Sequence, residues 1–420
     1  MHGIKIEMTN EANIQSIDTR KSSARMPLFK RIVGYVLFML LGVMLRTYYT
    51  HTSTVVWIVN FLGLVLFFLS YLRYISKRIA AISILYILLN FITIVVNPQY
   101  VSASIKGLGT NINILVLPVF LVIIFSSKSE QSIDKADLVD MLKQLSIIGL
   151  VCIAISWIIG FGDIVRIARG MSAYRAELAG VFYGKNIYGA FVALTLAADL
   201  FLLHLGNRKW LVSAVIKLVA VIVSFSRAAL LLAFVMLAVY IWLNAKKSMK
   251  NIMIALLFGC ILFVVWSFIA DNQFIISFIE KSVLRIDVGD AGRSTLRAQA
   301  ISRVGERLTT SFFGVGYSGI ESLSIDIDNT YLYIWFSGGI MKIMYYLGIL
   351  CFSLRRIKRV KGTDSELYKV CLSVFVAYLF FAFFESVAVL ELGLLNFLFT
   401  LFILIIPMSY FTREEEQIEK

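Results

Sequence analysis

Apolar runs of about 15 to 20 residues recur along this chain from Ile32 to Tyr410, and they constrain its fold more than any other feature. Each run approaches the length at which a helix crosses about 30 Å of hydrocarbon. Hydrophobic residues make up 59% of the chain and charged residues only 16%, a balance outside the soluble globular class. Runs such as 252–268 do not alternate as the strands of a closed barrel would. The sequence therefore predicts an all-α, polytopic integral membrane protein.

We predict twelve transmembrane helices within a single transmembrane domain that covers residues 32–410. A cytoplasmic N-terminal tail, 1–31, precedes this domain, and a cytoplasmic tail, 411–420, follows it. Two long external loops are predicted at 163–186 and 271–329, and the second contains short helices. The predicted spans are 32–51, 54–72, 79–96, 112–126, 145–162, 187–206, 210–226, 228–244, 251–270, 330–353, 370–384 and 392–410.

Lysine and arginine are divided unevenly between the two sides of this topology. The two tails and the even-numbered gaps carry 25 of the 40 basic residues, including six within 355–369. Basic loops stay in the cytoplasm, so we expect both termini there and the other gaps outside. No cleavable signal peptide is visible, because the polar segment 1–31 leads directly into a full span. The net charge of +14 is thus explained by orientation, and we expect no nucleic acid partner.

Sequence signatures of soluble enzymes are absent from the chain. It has no nucleotide-binding phosphate loop, no His-Glu-x-x-His and no Gly-x-Ser-x-Gly motif. The four cysteines lie in or beside apolar runs and lack metal-ligand spacing. We therefore expect no metal and no cofactor, and we look for function in the external segments.

Basic residues on the external side are concentrated in a few places. Four lie in 166–185, six lie in 281–307, and Arg227 stands at the end of the seventh span. A helix predicted over 293–309 places arginines and aliphatic residues on one arc: Arg293, Arg297, Arg303 and Arg307 with Leu296, Ala300, Val304 and Leu308. Such a mixed face suits phosphates at a membrane boundary. A single arginine can also snorkel to lipid headgroups, but that alternative does not explain why the inner face has no comparable long loop.

Short motifs follow one another on the same side. Segment 175–189 reads Arg-Ala-Glu-Leu-Ala-Gly-Val-Phe-Tyr-Gly-Lys-Asn-Ile-Tyr-Gly and leads into the sixth span. Ser-Phe-Ser-Arg, residues 224–227, ends the seventh span. Gly-Val-Gly-Tyr, residues 314–317, is followed by Asp-Asn-Thr-Tyr, residues 328–331, at the tenth span. Basic and amide groups collected on one face indicate recognition of a polyanion.

At these residues the chain resembles the bacterial O-antigen polymerase and O-antigen ligase superfamily of integral membrane glycosyltransferases. The resemblance covers about residues 170–345 and rests on the order of five elements. These are a Gly-aromatic-x-x-Asn-x-Tyr-Gly stretch, a Ser-x-Ser-Arg span end, an external arginine-bearing helix, a Gly-x-Gly turn and a polar motif before an aromatic-rich span. Ligases typically have histidine in the last motif, where this chain has Asp328, so the polymerase branch is favoured.

The resemblance implies an O-antigen or capsule polymerase that joins undecaprenyl-diphosphate-linked oligosaccharides on the outer face of the bacterial cytoplasmic membrane. The donor diphosphate would be the leaving group and an acceptor hydroxyl the nucleophile. Arginine suits this leaving group, because its guanidinium stays charged and binds phosphate oxygens bidentately. Membrane lipid, a chain-length regulator and a flippase protein would be its partners. The alternatives are a ligase and a lipid-linked oligosaccharide flippase or transporter.

Candidate site residues come from the same motifs. Arg227 is the first candidate for binding the donor diphosphate and for catalysis, and the full diphosphate-binding set is Arg175, Lys185, Asn186, Arg227, Arg293 and Arg297. Glycan binding or support is assigned to Tyr188, Tyr317, Asn329 and Tyr331. Asp328 is the candidate general base, ahead of Glu177, Asp326 and Glu321. The alternative is that Asp328 only caps the tenth helix.

Two charged residues lie inside neighbouring predicted spans. Asp199 and Lys217 are each about seven residues from the inner end of the sixth and seventh spans, so they lie at similar depth. An unpaired charge inside a membrane costs several kcal/mol. We therefore predict that the two side chains form a structural ion pair, with a proton path as the functional alternative.

Overall fold

The computed structural model describes residues 28–48, 91–93, 95–98, 135–162, 180–182, 184–206, 208–224, 226–246, 301–302, 304–316, 319–320, 329–389 and 393–410, with four isolated positions between these ranges. Over these residues the chain is helical, without a β-strand. The helices are α1 Leu28–Tyr48, α2 Lys135–Ile159, α3 Lys185–His204, α4 Lys209–Val223, α5 Arg227–Asn244, α6 Leu308–Phe313, α7 Thr330–Thr363, α8 Ser365–Phe381, α9 Leu394–Thr400 and α10 Ile406–Ser409, with a π-helix, Leu401–Ile405, joining the last two.

The all-helical class predicted from the sequence is confirmed for this part of the chain. Four helices, α2, α3, α5 and α7, are long and apolar enough to cross a membrane. Helices α3 and α5 agree within two residues with the predicted spans at 187–206 and 228–244, whereas α2 begins ten residues before the span predicted at 145–162 and α7 ends ten residues after the one predicted at 330–353. The predicted spans at 54–72, 112–126 and 251–270 lie almost entirely outside the described residues, as do the two tails, so the count of twelve stays a prediction.

Helix α3 is the centre of the described bundle and packs against α2, α4, α5, α8 and α9. Its sequence carries Gly and Ala at many positions, which lets neighbouring helices approach closely. A Cβ on Gly189 would lie 2.6 Å from the Cβ of Ala229 and 2.7 Å from Oγ of Ser224. This glycine therefore sets the close crossing of α3 and α5.

The outer helices expose large apolar side chains along their length. Ile158 of α2 is 76% exposed, Phe234 of α5 is 68% exposed and Met344 of α7 is 63% exposed. An apolar surface of this extent is unfavourable in water and suits contact with lipid chains.

Polar contacts show which helix ends lie together. We call one end of the bundle the basic end, where α2 and α8 begin and where α3, α5 and α7 finish. Three contacts join it: Lys135 Nζ to Asp364 Oδ2 at 3.2 Å, His204 Nδ1 to Glu366 Oε2 at 3.7 Å, and Lys369 Nζ to Asn244 Oδ1 at 2.6 Å. The opposite end, where α3, α5 and α7 begin, we call the site end. The helices thus alternate in direction, as the predicted topology requires.

Helix α7 is broken at Gly339, whose φ of 67° and ψ of −166° are not helical. The short helix α6 packs against the break, and a Cβ on Gly339 would overlap the carbonyl oxygen of Phe312. Val315 N donates to Phe336 O at 2.7 Å, so the segment after α6 satisfies a carbonyl that the break frees. Gly314, at φ 72°, has no room for a Cβ beside Gly338 either. The break is thus built into the packing of α6 on α7.

The helix predicted over 293–309 is wrong at its C-terminal part. Residues 304–305 are helical, but Arg307 is extended, with φ −116° and ψ 134°, and a new helix begins at Leu308. The hydroxyl of Thr310 donates to the carbonyl of Val304 at 2.6 Å, which competes with continuation of the helix. Val304 is consequently buried while Leu308 is 79% exposed, so they do not share the predicted face. Residues 293–300 lie outside the described part.

Candidate functional site

The first turns of α3 and α5 are joined at the site end by Ser226 and Asn186. Ser226 precedes α5 and caps it, since its Oγ accepts a hydrogen bond from Ala229 N at 3.2 Å. The same hydroxyl donates to Asn186 Oδ1 at 2.8 Å. Asn186 is the second residue of α3, so this bond fixes the two helix N-termini next to each other.

Asn186 also contacts a carboxylate, that of Glu385, in the segment that follows α8. Asn186 Nδ2 donates to Glu385 Oε1 at 2.5 Å. The backbone carbonyl of Glu385 accepts from Thr330 Oγ1 at 2.7 Å, and Thr330 is the first residue of α7. Glu385 is therefore held through its side chain by α3 and through its backbone by α7.

The segment 382–389 is fixed to the start of α7 by further hydrogen bonds. Thr330 N donates to Ala382 O at 2.8 Å, and Thr330 Oγ1 accepts from Val387 N at 2.9 Å. Asn329 Nδ2 donates to Phe383 O at 3.0 Å. Because both sides of Glu385 are bonded to the same helix turn, its backbone has a defined position.

Three helix N-termini thus meet around one carboxylate. Each N-terminus carries roughly half a positive charge from the aligned peptide dipoles. Lys185 and Arg227 are the first residues of α3 and α5, and Arg227 is exposed while Lys185 is half-buried. A cation at a helix N-terminus opposes the dipole and costs roughly 0.3–1 kcal/mol. The helix dipoles alone therefore do not explain the placement of these two cations, and helix N-termini are also common binding sites for anions.

Asn329 caps α7, because its Oδ1 accepts from Leu332 N at 2.9 Å. The cap that the sequence analysis considered for Asp328 is thus provided by its neighbour, and Asp328 itself lies outside the described residues. Tyr331 is half-buried, with its hydroxyl donating to Leu379 O at 3.1 Å. Its ring lies 4.7 Å from that of Phe383, between centroids.

Among the remaining candidate site residues, only Tyr188 lies in the described part of the chain. Tyr188 is fully buried inside the bundle, with its ring centroid 5.6 Å from that of Phe182, so its side chain offers no surface to a ligand here. Eight candidates lie outside the described residues: Arg175, Glu177, Arg293, Arg297, Tyr317, Glu321, Asp326 and Asp328. The structure therefore brings together Lys185, Asn186, Arg227, Asn329 and Tyr331 at the site end.

A second polar cluster lies inside the bundle, between α2, α3 and α4. Lys217 Nζ lies 2.8 Å from Asp199 Oδ2, and both side chains are fully buried. Ser213 Oγ donates to Asp199 Oδ2 at 2.8 Å and Ser146 Oγ donates to Oδ1. Lys217 Nζ also donates to Ser146 Oγ at 2.8 Å and to Thr195 O at 3.2 Å. The ion pair predicted from the sequence is confirmed, and its partners supply the hydrogen bonds that a buried pair needs.

Two residues of the site were missed by the sequence analysis. Ser226 was part of the Ser-Phe-Ser-Arg motif but had no assigned role, although serine directly before a helix is a typical cap. Glu385 is the only charged residue between Lys369 and Glu391. A single carboxylate at the end of an apolar span can be identified as a functional candidate from the sequence, since charged residues in such positions are often functional in membrane proteins.

Comparison with known proteins gives no match: no protein-family model matches the chain, and no curated protein matches it. Within the described ranges, no three His, Cys, Asp or Glu side chains are grouped so that they could hold a metal ion. The function is therefore argued from the site, which combines three helix N-termini, two cations, an amide and a carboxylate.

Proposed function

We propose that the protein is a polysaccharide polymerase of twelve transmembrane helices that joins undecaprenyl-diphosphate-linked oligosaccharide repeat units. The reaction takes place at the outer face of the bacterial cytoplasmic membrane and transfers the growing glycan from one lipid diphosphate to a sugar hydroxyl of another repeat unit. The observation that supports this proposal best is the joining of two cation-bearing helix N-termini by the bond from Ser226 to Asn186.

The donor diphosphate is the ligand that fits these groups. Lys185 and Arg227 supply positive charge for the diphosphate. The first turns of α3 and α5 add backbone N–H groups, which can bind an anion at the site end. In this proposal the guanidinium of Arg227 binds phosphate oxygens in a bidentate manner and stabilises the charge that develops on the leaving group. Its exposure gives it access to a ligand at the surface of the bundle.

The predicted orientation places the site outside the cell. Arg355, Arg356, Lys358, Arg359 and Lys361 all lie in the last turns of α7, at the basic end. If this end faces the cytoplasm, as the positive-inside rule predicts, the site end faces outward. A lipid-linked diphosphate lies at the membrane boundary, and helix N-termini at that boundary are in reach of it.

A flippase is a second candidate, and the break in α7 is the observation that favours it. Broken transmembrane helices form substrate sites in carriers. Lys342 is buried near the break, and its Nζ donates to Ser337 Oγ at 2.9 Å. The bond from Val315 to Phe336, however, places the chain's own backbone in the break. We therefore assign the break to packing and the site to the helix N-termini.

The test uses the purified, full-length protein in vesicles supplied with lipid-linked repeat units. A ladder of products supports the polymerase, a single transfer supports a ligase, and movement of the lipid across the vesicle without a new bond supports the flippase. The double variant Lys185→Ala/Arg227→Ala should abolish the ladder. The control, Lys358→Ala/Arg359→Ala at the basic end, also removes two cations, both of them exposed, and should keep the ladder.

A further inference from the structure

We propose that Glu385 is the catalytic base that takes the proton from the acceptor hydroxyl, and that Asn186 is its positioning residue. This inference rests on the proposed function and identifies the acceptor side of the same site. Asp328 is the candidate base predicted from the sequence, so Glu385 and Asp328 are competing assignments for this role.

One asparagine connects the carboxylate with the cations. Asn186 accepts from Ser226 through Oδ1 and donates to Glu385 through Nδ2, so each end of its amide has a defined partner. Ser226 directly precedes Arg227, and Lys185 directly precedes Asn186. A base must lie within hydrogen-bond reach of the attacking hydroxyl while the leaving group lies on the other side of the anomeric carbon. The amide sets a fixed spacing between the two functions.

The side chain of Glu385 is oriented by Asn186, whose Nδ2 donates to Oε1. Thr330 fixes the backbone of the same residue through its carbonyl. A base held at both points keeps its geometry during the reaction.

Aromatic side chains beside Glu385 give the acceptor sugar a surface. Phe383 and Phe384 directly precede Glu385 in the chain. Their side chains are 56% and 55% exposed, so large apolar surfaces lie open next to the carboxylate. Phe383 packs against Tyr331, with ring centroids 4.7 Å apart. Aromatic rings can pack against the apolar C–H faces of sugar rings. In this proposal Phe383 and Tyr331 form the acceptor subsite, and a hydroxyl of the bound sugar reaches Glu385.

The reaction step then balances as follows. The acceptor hydroxyl oxygen forms a bond to the anomeric carbon of the donor glycan, and its proton passes to the carboxylate of Glu385. The bond from the anomeric carbon to the phosphate oxygen breaks, and its electron pair leaves with undecaprenyl diphosphate. The cations Lys185 and Arg227 face the added negative charge. Release of the proton from Glu385 to water restores the base.

The first variant to test is Glu385→Gln. Glutamine keeps the shape and an oxygen that accepts from Asn186, but it is not a base. We expect the polymerisation rate to fall by about a hundredfold or more, the usual scale of acid–base catalysis, with unchanged binding of the lipid-linked repeat unit. A rate within about threefold of the original protein overturns the proposal. The control Asp140→Asn, an exposed carboxylate at the basic end, should keep the full rate.

Chemical rescue separates a base from a structural residue. Formate added to Glu385→Ala should restore part of the lost rate, because a small carboxylate can occupy the space of the missing one. Asn186→Ala should lose rate, and formate should not restore it, since the base is still present but misplaced. Absence of rescue in Glu385→Ala that is folded and binds the lipid-linked repeat unit argues against the assignment.

Failure of the inference differs from failure of the proposed function. If the original protein makes no polymer from lipid-linked repeat units, the polymerase proposal fails and this inference fails with it. If the original protein makes polymer, Glu385→Gln does so too and Asp328→Asn does not, the polymerase proposal stands and the base is Asp328.

Discussion

Lys217 and Asp199 form a fully buried ion pair, with Nζ and Oδ2 2.8 Å apart, between two consecutive helices. The pair was predicted from depth alone, because each charge lies about seven residues from the same end of its span. Sequence spacing did not reveal the two serines that complete the cluster, Ser146 and Ser213, because they come from other turns and one comes from α2.

Removal of one charge should destabilise the bundle more than removal of both. Lys217→Met leaves a buried carboxylate without its cation, and Asp199→Asn leaves a buried ammonium, each at a cost of about 3–5 kcal/mol. The double variant is neutral and should recover most of the loss in Tm. The swap Asp199→Lys/Lys217→Asp should recover part of the expression lost in either single variant. Lys209→Met, an exposed lysine on the same helix, is the control and should change Tm little.

The glycines of α7 allow a direct test of the break. Gly339→Ala forces a side chain into positive φ and against the Phe312 carbonyl, so we expect a large loss of Tm and of folded yield. Gly348→Ala on the same helix meets no atom within 4 Å and should be neutral or stabilise by up to about 1 kcal/mol. Equal behaviour of the two variants would contradict the packing of α6 against the break.

The sequence predicted the positions of the described helices well, because apolar length and basic gaps are local properties. The basic segment from Arg355 to Lys369 was predicted to lie at one end of the bundle. Lys135, His204 and Asn244 lie at this end, where they contact Asp364, Glu366 and Lys369. The break at Gly339 was not predictable in this way. It depends on α6, which lies about 25 residues earlier and packs against the break, and on Val315 just after α6, whose N–H donates to the carbonyl of Phe336.

The site was predictable only in part for a related reason. Asn186 and Arg227 stand in recognisable motifs at span ends, so local sequence identified them. Glu385 becomes part of the site only when segment 382–389 folds onto Thr330, a contact between residues 55 positions apart. Tyr188 shares its motif with Asn186 but lies two residues later on the helix, and this rotation places it in the core.

Orientation can be decided by cysteine labelling in a variant without the four native cysteines. Ser365 lies exposed at the basic end and Ser386 lies exposed at the site end, one residue after Glu385. We expect an impermeant thiol reagent to label Ser386→Cys in intact cells and to leave Ser365→Cys unlabelled until the membrane is opened. The reverse pattern would overturn the outward orientation of the site.

The cap of α7 predicts a difference between two neighbouring residues. Asn329→Ala removes the acceptor for Leu332 N and a donor to Phe383 O, so it should lower stability by about 1 kcal/mol or more. Asp328→Ala should have a smaller effect on Tm, because the cap position is occupied by Asn329. A larger loss of Tm from Asp328→Ala than from Asn329→Ala would show that Asp328, and not Asn329, stabilises the start of α7.

Arg227 allows the anion site to be tested apart from the fold. It is exposed at the first position of α5, and the Tm of each variant is measured beside its activity to separate loss of folded protein from loss of anion binding. Arg227→Lys keeps the charge but loses the bidentate guanidinium. Loss of one donor to developing charge costs about 100- to 1,000-fold, and lysine replaces part of it, so we expect polymerisation to fall by about tenfold or more. Arg355→Lys at the basic end is the control.

Near-normal polymer from well-expressed Arg227→Lys would show that Arg227 is only a membrane anchor, since either cation can snorkel to headgroups.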